Sequence, residues 1–258
     1  MKWNTIANNM NDKSPKLRTV NKTPPAYELN KFPKEFPYIV GKEIIYLLAT
    51  KGKANLIGSE WEEIFAKAIG ANWKNSNVGL DDVKFGNTAW GSKTVISTNP
   101  SRQKDVRLIS GRNSTVYSYG DKLDTSADPN KPGKQVLKIW NDRVSAVREK
   151  FDHLRTIVLI KAKDLSEVVV FEFETIRYDP ELFYWEWNKE KNIEGFGKET
   201  KRHFFTWQPH GSQFTIIEDV PKDSLIIKIR KPKLFDREKV FEDVGFDKSW
   251  ITIDKTTH

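Results

Sequence analysis

The chain contains no cysteine and only four histidines in 258 residues. Disulfides, cysteine-ligated zinc and thiol nucleophiles are thereby excluded. His153, His203, His210 and His258 are too few and too scattered to support a histidine-built metal site. No G-x-x-x-x-G-K-[S/T] loop occurs, and Gly195-Phe196-Gly197-Lys198 lacks its spacing, which argues against an ATP-driven motor. H-E-x-x-H and G-x-S-x-G are also missing, so zincin and elbow-serine chemistry have no foothold. There is no run of membrane-spanning length, no repeat at solenoid spacing and no signal-type apolar core at the N-terminus. The expectation is a cytosolic (cytoplasmic) protein with no membrane partner.

What is present suits a folded chain that meets polyanions. Nine Trp and fifteen Phe are enough to fill a core and argue against disorder. Lys and Arg outnumber Asp and Glu by 43 to 35, and a net charge of +8 favours nucleic acid as partner. Residues 1–35 are polar, rich in Lys, Asn and Pro, and read as an arm. Residues 36–258 read as one domain, with a core over about 58–174 and a β-rich part over about 175–258.

Periodicity gives the elements. A helix is expected from about Val40. A second follows Ser59, with Ser59 and Glu62 as a capping box, a stripe of Trp61, Ile64, Phe65, Ala68 and Ile69, and Gly70 as its end. Residues 97–134 read as loops and short strands. Gln135–Phe151 reads as an amphipathic helix with Lys138, Arg143 and Lys150 off its apolar side. Arg155–Lys161 is nearly all apolar and reads as a central strand. In Glu167–Glu174 the alternation of Phe171 and Phe173 with Glu172 and Glu174 reads as an exposed half-strand. The aromatics of 178–187 read as core. Residues 203–220 and 224–232 read as two strands joined by a turn at Val220–Asp223. The class is α/β, a central mixed β-sheet flanked by helices.

The most informative stretch is Gly79–Val95. Gly86-Asn87 between two strand-like runs is a hairpin signal, and its register pairs Phe85 with Thr88, Lys84 with Ala89, Val83 with Trp90 and Asp82 with Gly91. Opposed residues, and residues two apart, share a face. Asp82, Gly91 and Lys93 therefore share one, expected to be exposed; Asp81 falls on the other. A carboxylate beside an ammonium can hold a divalent cation while the lysine activates a water or neutralises a phosphate.

These residues resemble the core of the PD-(D/E)XK nuclease family, in which an acid on one strand precedes acid-x-Lys on the next. Asp82 matches the first acid, Lys93 the lysine, and Ser92 the x position, whose backbone carbonyl often completes the metal site. Gly91 stands where the second acid belongs. Glu62, following Trp61 on the preceding helix, resembles the glutamate that many such nucleases carry there, and it remains a capping-box residue as well. The resemblance implies a restriction-endonuclease-like fold and a magnesium-dependent (Mg2+) type II restriction endonuclease. It also implies double-stranded DNA as substrate, a homodimer, and a cognate DNA methyltransferase as genetic partner. The alternative is a non-catalytic DNA-binding protein on the same fold. Arg102, Lys104, Arg107 and Arg112 are candidate DNA contacts. Gln208, His210, Ser212 and Gln213 form a second, polar cluster suited to base edges.

Overall fold

A computed structural model describes residues 23–73, 79–120 and 128–254. Most of the expected arm, residues 1–22, lies outside the described residues. The chain is a mixed α/β protein built on two sheets. The first sheet has the order β1-β2-β3-β5-β6-β11, with β1 Asn72–Trp73, β2 Val83–Phe85, β3 Thr88–Ile96, β5 His153–Lys161, β6 Glu167–Glu174 and β11 Leu225–Lys228. Only its β3–β5 pair is parallel. The second sheet is antiparallel, in the order β4-β10-β9-β8-β7, with β4 Asp105–Arg112, β7 Phe183–Trp187, β8 Ile193–Gly197, β9 His203–Gln208 and β10 Gln213–Asp219.

Helices cover both faces of the first sheet. α1 (Phe36–Lys51) and α2 (Gly58–Ile69) lie on one side. The stripe of α2 buries Trp61 and Phe65 against Val83, Trp90, Ile157 and Val170. Burial of each such aromatic contributes about 2–3 kcal/mol. On the other side, Ala89 and Leu154 meet α4 (Asn130–Arg148), whose Val136, Leu137 and Trp140 also pack against Phe205 and Phe214 of the second sheet. Further along that face, Val158 and Ile160 meet Val106 and Leu108 of β4. A short helix, α3 (Thr115–Tyr119), precedes α4. β5 is buried along nearly its whole length, as a central strand must be when both faces are covered.

Several expectations are corrected. α1 starts at Phe36 rather than near Val40, and α4 at Asn130 rather than Gln135, because Pro37 and Pro132 are tolerated in a first turn, where an N–H has no partner to lose. Within 97–134, β4 is a full strand; residues 121–127 lie outside the described residues. Residues 203–220 form two strands, not one, turning at 209–212. β11 does not pair with β10 across Val220–Asp223 but joins β6 in the other sheet.

Glu172 is the largest correction. It is fully buried, and residues 26–32 cover it. It accepts from Trp90 Nε1 (2.8 Å), Asn30 N (3.0 Å) and Tyr27 OH (3.3 Å), and pairs with Arg155 at 2.9 Å. A buried carboxylate survives only with such company. The alternation along β6 was a correct sign of faces, but the face was not open to water.

Candidate functional site

The hairpin forms in the expected register: Val83 opposite Trp90, Lys84 opposite Ala89, Phe85 opposite Thr88. The ladder stops there. The next amide, Ser92 N–H, donates to Asp82 Oδ2 at 2.9 Å, so the carboxylate takes the place of a backbone acceptor at the ladder's end. That bond fixes its orientation. Lys93, one residue on, sits on the face bounded by Ala89, which meets α4, and Val95, which meets β4.

The expected exposed face is therefore covered. Asp82 is 5% exposed and Lys93 half-buried. The reason is topological: after the hairpin the chain returns over this face as β4 and α4. Burial pushes the Asp82 carboxyl up; Ser92 N–H and Lys93 draw it back down, and the charges of Glu62 and Asp81 raise it further. Burial pushes the Lys93 ammonium down. Asp82 and Glu62 hold it up, while the Arg143 guanidinium lowers it. Buried groups of opposite charge displaced toward each other in this way are frequent where proton transfer occurs.

Glu62 is not the capping residue. The cap of α2 is Ile57 and the helix begins at Gly58, two residues earlier than the sequence suggests, so Glu60 stands at the third helical position and accepts from Ile57 N at 2.9 Å. Glu60 also pairs with Lys51. Glu62 turns instead toward the hairpin, where Trp73 Nε1 donates to it at 3.1 Å and its charge acts on both Asp82 and Lys93. Asp81, the other candidate acid, is engaged with Lys84 at 2.7 Å.

Gly91 has a steric cause. A Cβ there would lie 3.2 Å from Gly79 O and 3.2 Å from Leu80 Cα. Main-chain atoms crowd a side chain at this position and must give by a few tenths of an ångström to admit one, and no rotamer change relieves it.

Arg143 is a residue that the sequence reading placed only off a helix's apolar side. Its Nη1 donates to Ser110 O (2.7 Å) and Asn113 Oδ1 (3.1 Å) at the end of β4. Gly111, at φ +114, leaves room for the guanidinium, since a Cβ there would stand 2.5 Å from Nη1. The signal available was its place beside the Leu137, Trp140, Val144 stripe, at the border between core and solvent.

The candidate DNA contacts divide into two groups. Arg112 pairs with Gln213, and Gln213 with Gln208; His210 and Ser212 lie in the turn between β9 and β10. Ser212 O accepts from Asn113 N, tying this turn to the end of β4 that Arg143 holds. Arg102 and Lys104 lie at the opposite end of β4, about 20 Å away for a strand of this length. Arg107 is between them and donates to Thr206 Oγ1 at 3.0 Å.

Among the described residues no cluster of three or more His, Cys, Asp and Glu side chains forms a metal cage. No helix among them is long and apolar enough to cross a membrane. Comparison with family models, curated proteins and solved structures finds no match.

Proposed function

We propose that this chain is a magnesium-dependent endonuclease of the restriction type, with a restriction-endonuclease-like fold, acting on double-stranded DNA as a cytoplasmic homodimer. A DNA methyltransferase that protects the same site is its expected genetic partner. The observation that carries the reading is the buried Asp82 carboxylate, held by Ser92 N–H on the strand that carries Lys93, with the charge of Glu62 on the preceding helix acting on both. Their order along the chain, helix then acid strand then lysine strand, supports it, as does the mixed sheet with helices on both faces.

The donor set suits Mg2+. That ion takes one or two carboxylates and keeps several waters, so a three-carboxylate cage is not required. The charge of Glu62 raises the buried Asp82 carboxyl, and a cation shared by the two would relieve that repulsion. Asp82, Glu62 and the Ser92 carbonyl would hold it, and it would supply charge neutralisation at the phosphate and a more acidic water.

The residues of the chain do the rest. Asp82 is oriented by Ser92 N–H. Lys93, with its ammonium pushed down by burial, gives up its proton more easily than a surface lysine and can then take one from the attacking water, or as a cation meet charge on the phosphate. The water oxygen bonds to phosphorus, the ester P–O bond breaks, and the leaving oxygen takes a proton. Arg112, Gln208 and Gln213, with the turn carrying His210 and Ser212, form the nearer DNA-contact group; Arg102, Lys104 and Arg107 extend along the duplex.

Incubation of supercoiled plasmid with the protein, in Mg2+ or in EDTA, is the test. Discrete fragments in Mg2+ alone support the reading. A mobility shift without cleavage in either condition returns it to the non-catalytic DNA-binding alternative.

A further inference from the structure

The last part of the chain is ordered locally but covers almost nothing. Beyond Lys233 it forms α5 (Arg237–Asp243), a left-handed Gly245 cap and a 3-10 turn at Lys248–Trp250. Phe246 packs between Phe241 (5.4 Å) and Trp250 (5.9 Å). No residue from 234 to 254 is buried, and nine of them are large apolar side chains, including Trp250 at 63% and Ile253 at 85% exposure. The tail touches the body where it leaves it: Phe235 N–H donates to Ala49 O, and its ring meets Tyr46. Beside that point α1 carries a largely exposed stripe of Tyr38, Ile45 and Tyr46, one side of a helix, of which only Tyr46 meets the tail's Phe235.

We infer that residues 236–254 of one copy pack on the exposed side of α1 of a second copy, and reciprocally, forming a two-fold dimer. The charges point to a second copy of this chain. Lys228, Arg230, Lys231 and Lys233 make the segment before the tail +4. In 236–247, Asp236, Glu238, Glu242, Asp243 and Asp247 against Arg237 and Lys239 give −3. A basic run followed by an acidic one is self-complementary about a two-fold axis, because each run meets the other's counterpart. Lys42, exposed between Tyr38 and Ile45, adds a cation on the receiving side. The area also fits: the seven exposed apolar side chains of 236–254 and the three of α1, at roughly 80–100 Å2 each, approach the ~800 Å2 per partner of a standard interface. Exposed apolar surface of this extent on a single chain marks an interaction site.

This deepens the homodimer of the proposed function by supplying its surface, and it is read without any cleavage. Sedimentation equilibrium of the full chain is expected to give twice 29.9 kDa. Phe241→Glu/Trp250→Glu and, separately, Tyr38→Glu/Tyr46→Glu are expected to give single chains with unchanged far-UV circular dichroism, since none of the four side chains is buried. Mixing the two variants restores one intact tail-on-helix contact per pair and is expected to restore a dimer, weaker than wild type by tenfold or more. A monomeric wild type, a dimer untouched by either variant, or no recovery on mixing overturns the inference. A dimer of this kind without DNA cleavage leaves it standing while removing the nuclease reading.

Discussion

Gly91→Asp introduces the acid that the PD-(D/E)XK pattern has at this position, yet it is expected to harm this protein. The added Cβ meets Gly79 O and Leu80 Cα at 3.2 Å and Leu80 O at 3.5 Å. These are main-chain atoms of a segment whose Leu80 is buried against Ala89 and α4, so they give way only if that segment moves. Overpacking of this kind costs about 1–3 kcal/mol. The carboxylate then lies in a covered place beside Asp82, already raised by burial, and an uncompensated polar group adds about 1–3 kcal/mol more. Urea denaturation should therefore place Gly91→Asp about 2–6 kcal/mol below wild type. Gly91→Ala, which has the steric part alone, should fall between them. In cleavage assays Gly91→Asp should not rescue Glu62→Gln. A Gly91→Asp protein as stable as wild type, or one that restores cutting to Glu62→Gln, refutes the claim that main-chain crowding keeps a second acid from this position.

Three further outcomes follow from single side chains. Glu62→Gln should lower single-turnover cleavage by about 10²-fold or more with unchanged stability, because the capping bond belongs to Glu60, and metal-free DNA binding in a gel-shift titration should stay within about twofold. Glu172→Gln should cost about 3–5 kcal/mol in urea, since it leaves the buried Arg155 without its 2.9 Å partner; Glu174, half-exposed, is the weaker second. Glu218 accepts from Tyr178 OH, and burial pushes its carboxyl up to about 7 from an ordinary 4.5. The folded chain thus keeps a proton that the unfolded chain has lost between those values, so stability falls as pH rises from about 4.5 through 7. Glu218→Gln removes that loss: its thermal midpoint should exceed wild type at pH 8 and match it near pH 4.

How far the sequence reached depended on the range of the interaction. The β2–β3 register was legible because a two-residue loop and a period of two leave one solution. The burial of β5 was legible from its unbroken apolar run. The burial of Asp82 and Glu172 was not, because each depends on segments remote in the chain: Ala89 and Val95 are roofed by α4 and β4, and Glu172 by residues near Tyr27. The cap of α2 went to the wrong glutamate through an offset of two residues. With Ser59 as the cap the third helical residue is Glu62; with Ile57 as the cap it is Glu60, and Glu62 is released to the candidate site. The turn at 209–212 was hidden because the polar residues there were read as a reading loop within one strand. Arg143 needed the fold of β4 before its partner atoms existed.

The central claim is that Asp82 and Lys93 cut DNA rather than merely brace a hairpin. Single-turnover cleavage of supercoiled plasmid in Mg2+ by wild type, Asp82→Asn and Lys93→Met tests it most directly. Asn keeps an acceptor for Ser92 N–H and Met keeps the apolar stem of Lys93, so both proteins should show wild-type circular dichroism. The account predicts that wild type cuts and that each variant is slower by about 10²–10⁴-fold, the range for loss of a group that positions or transfers a proton. Cleavage by either folded variant at the wild-type rate contradicts it.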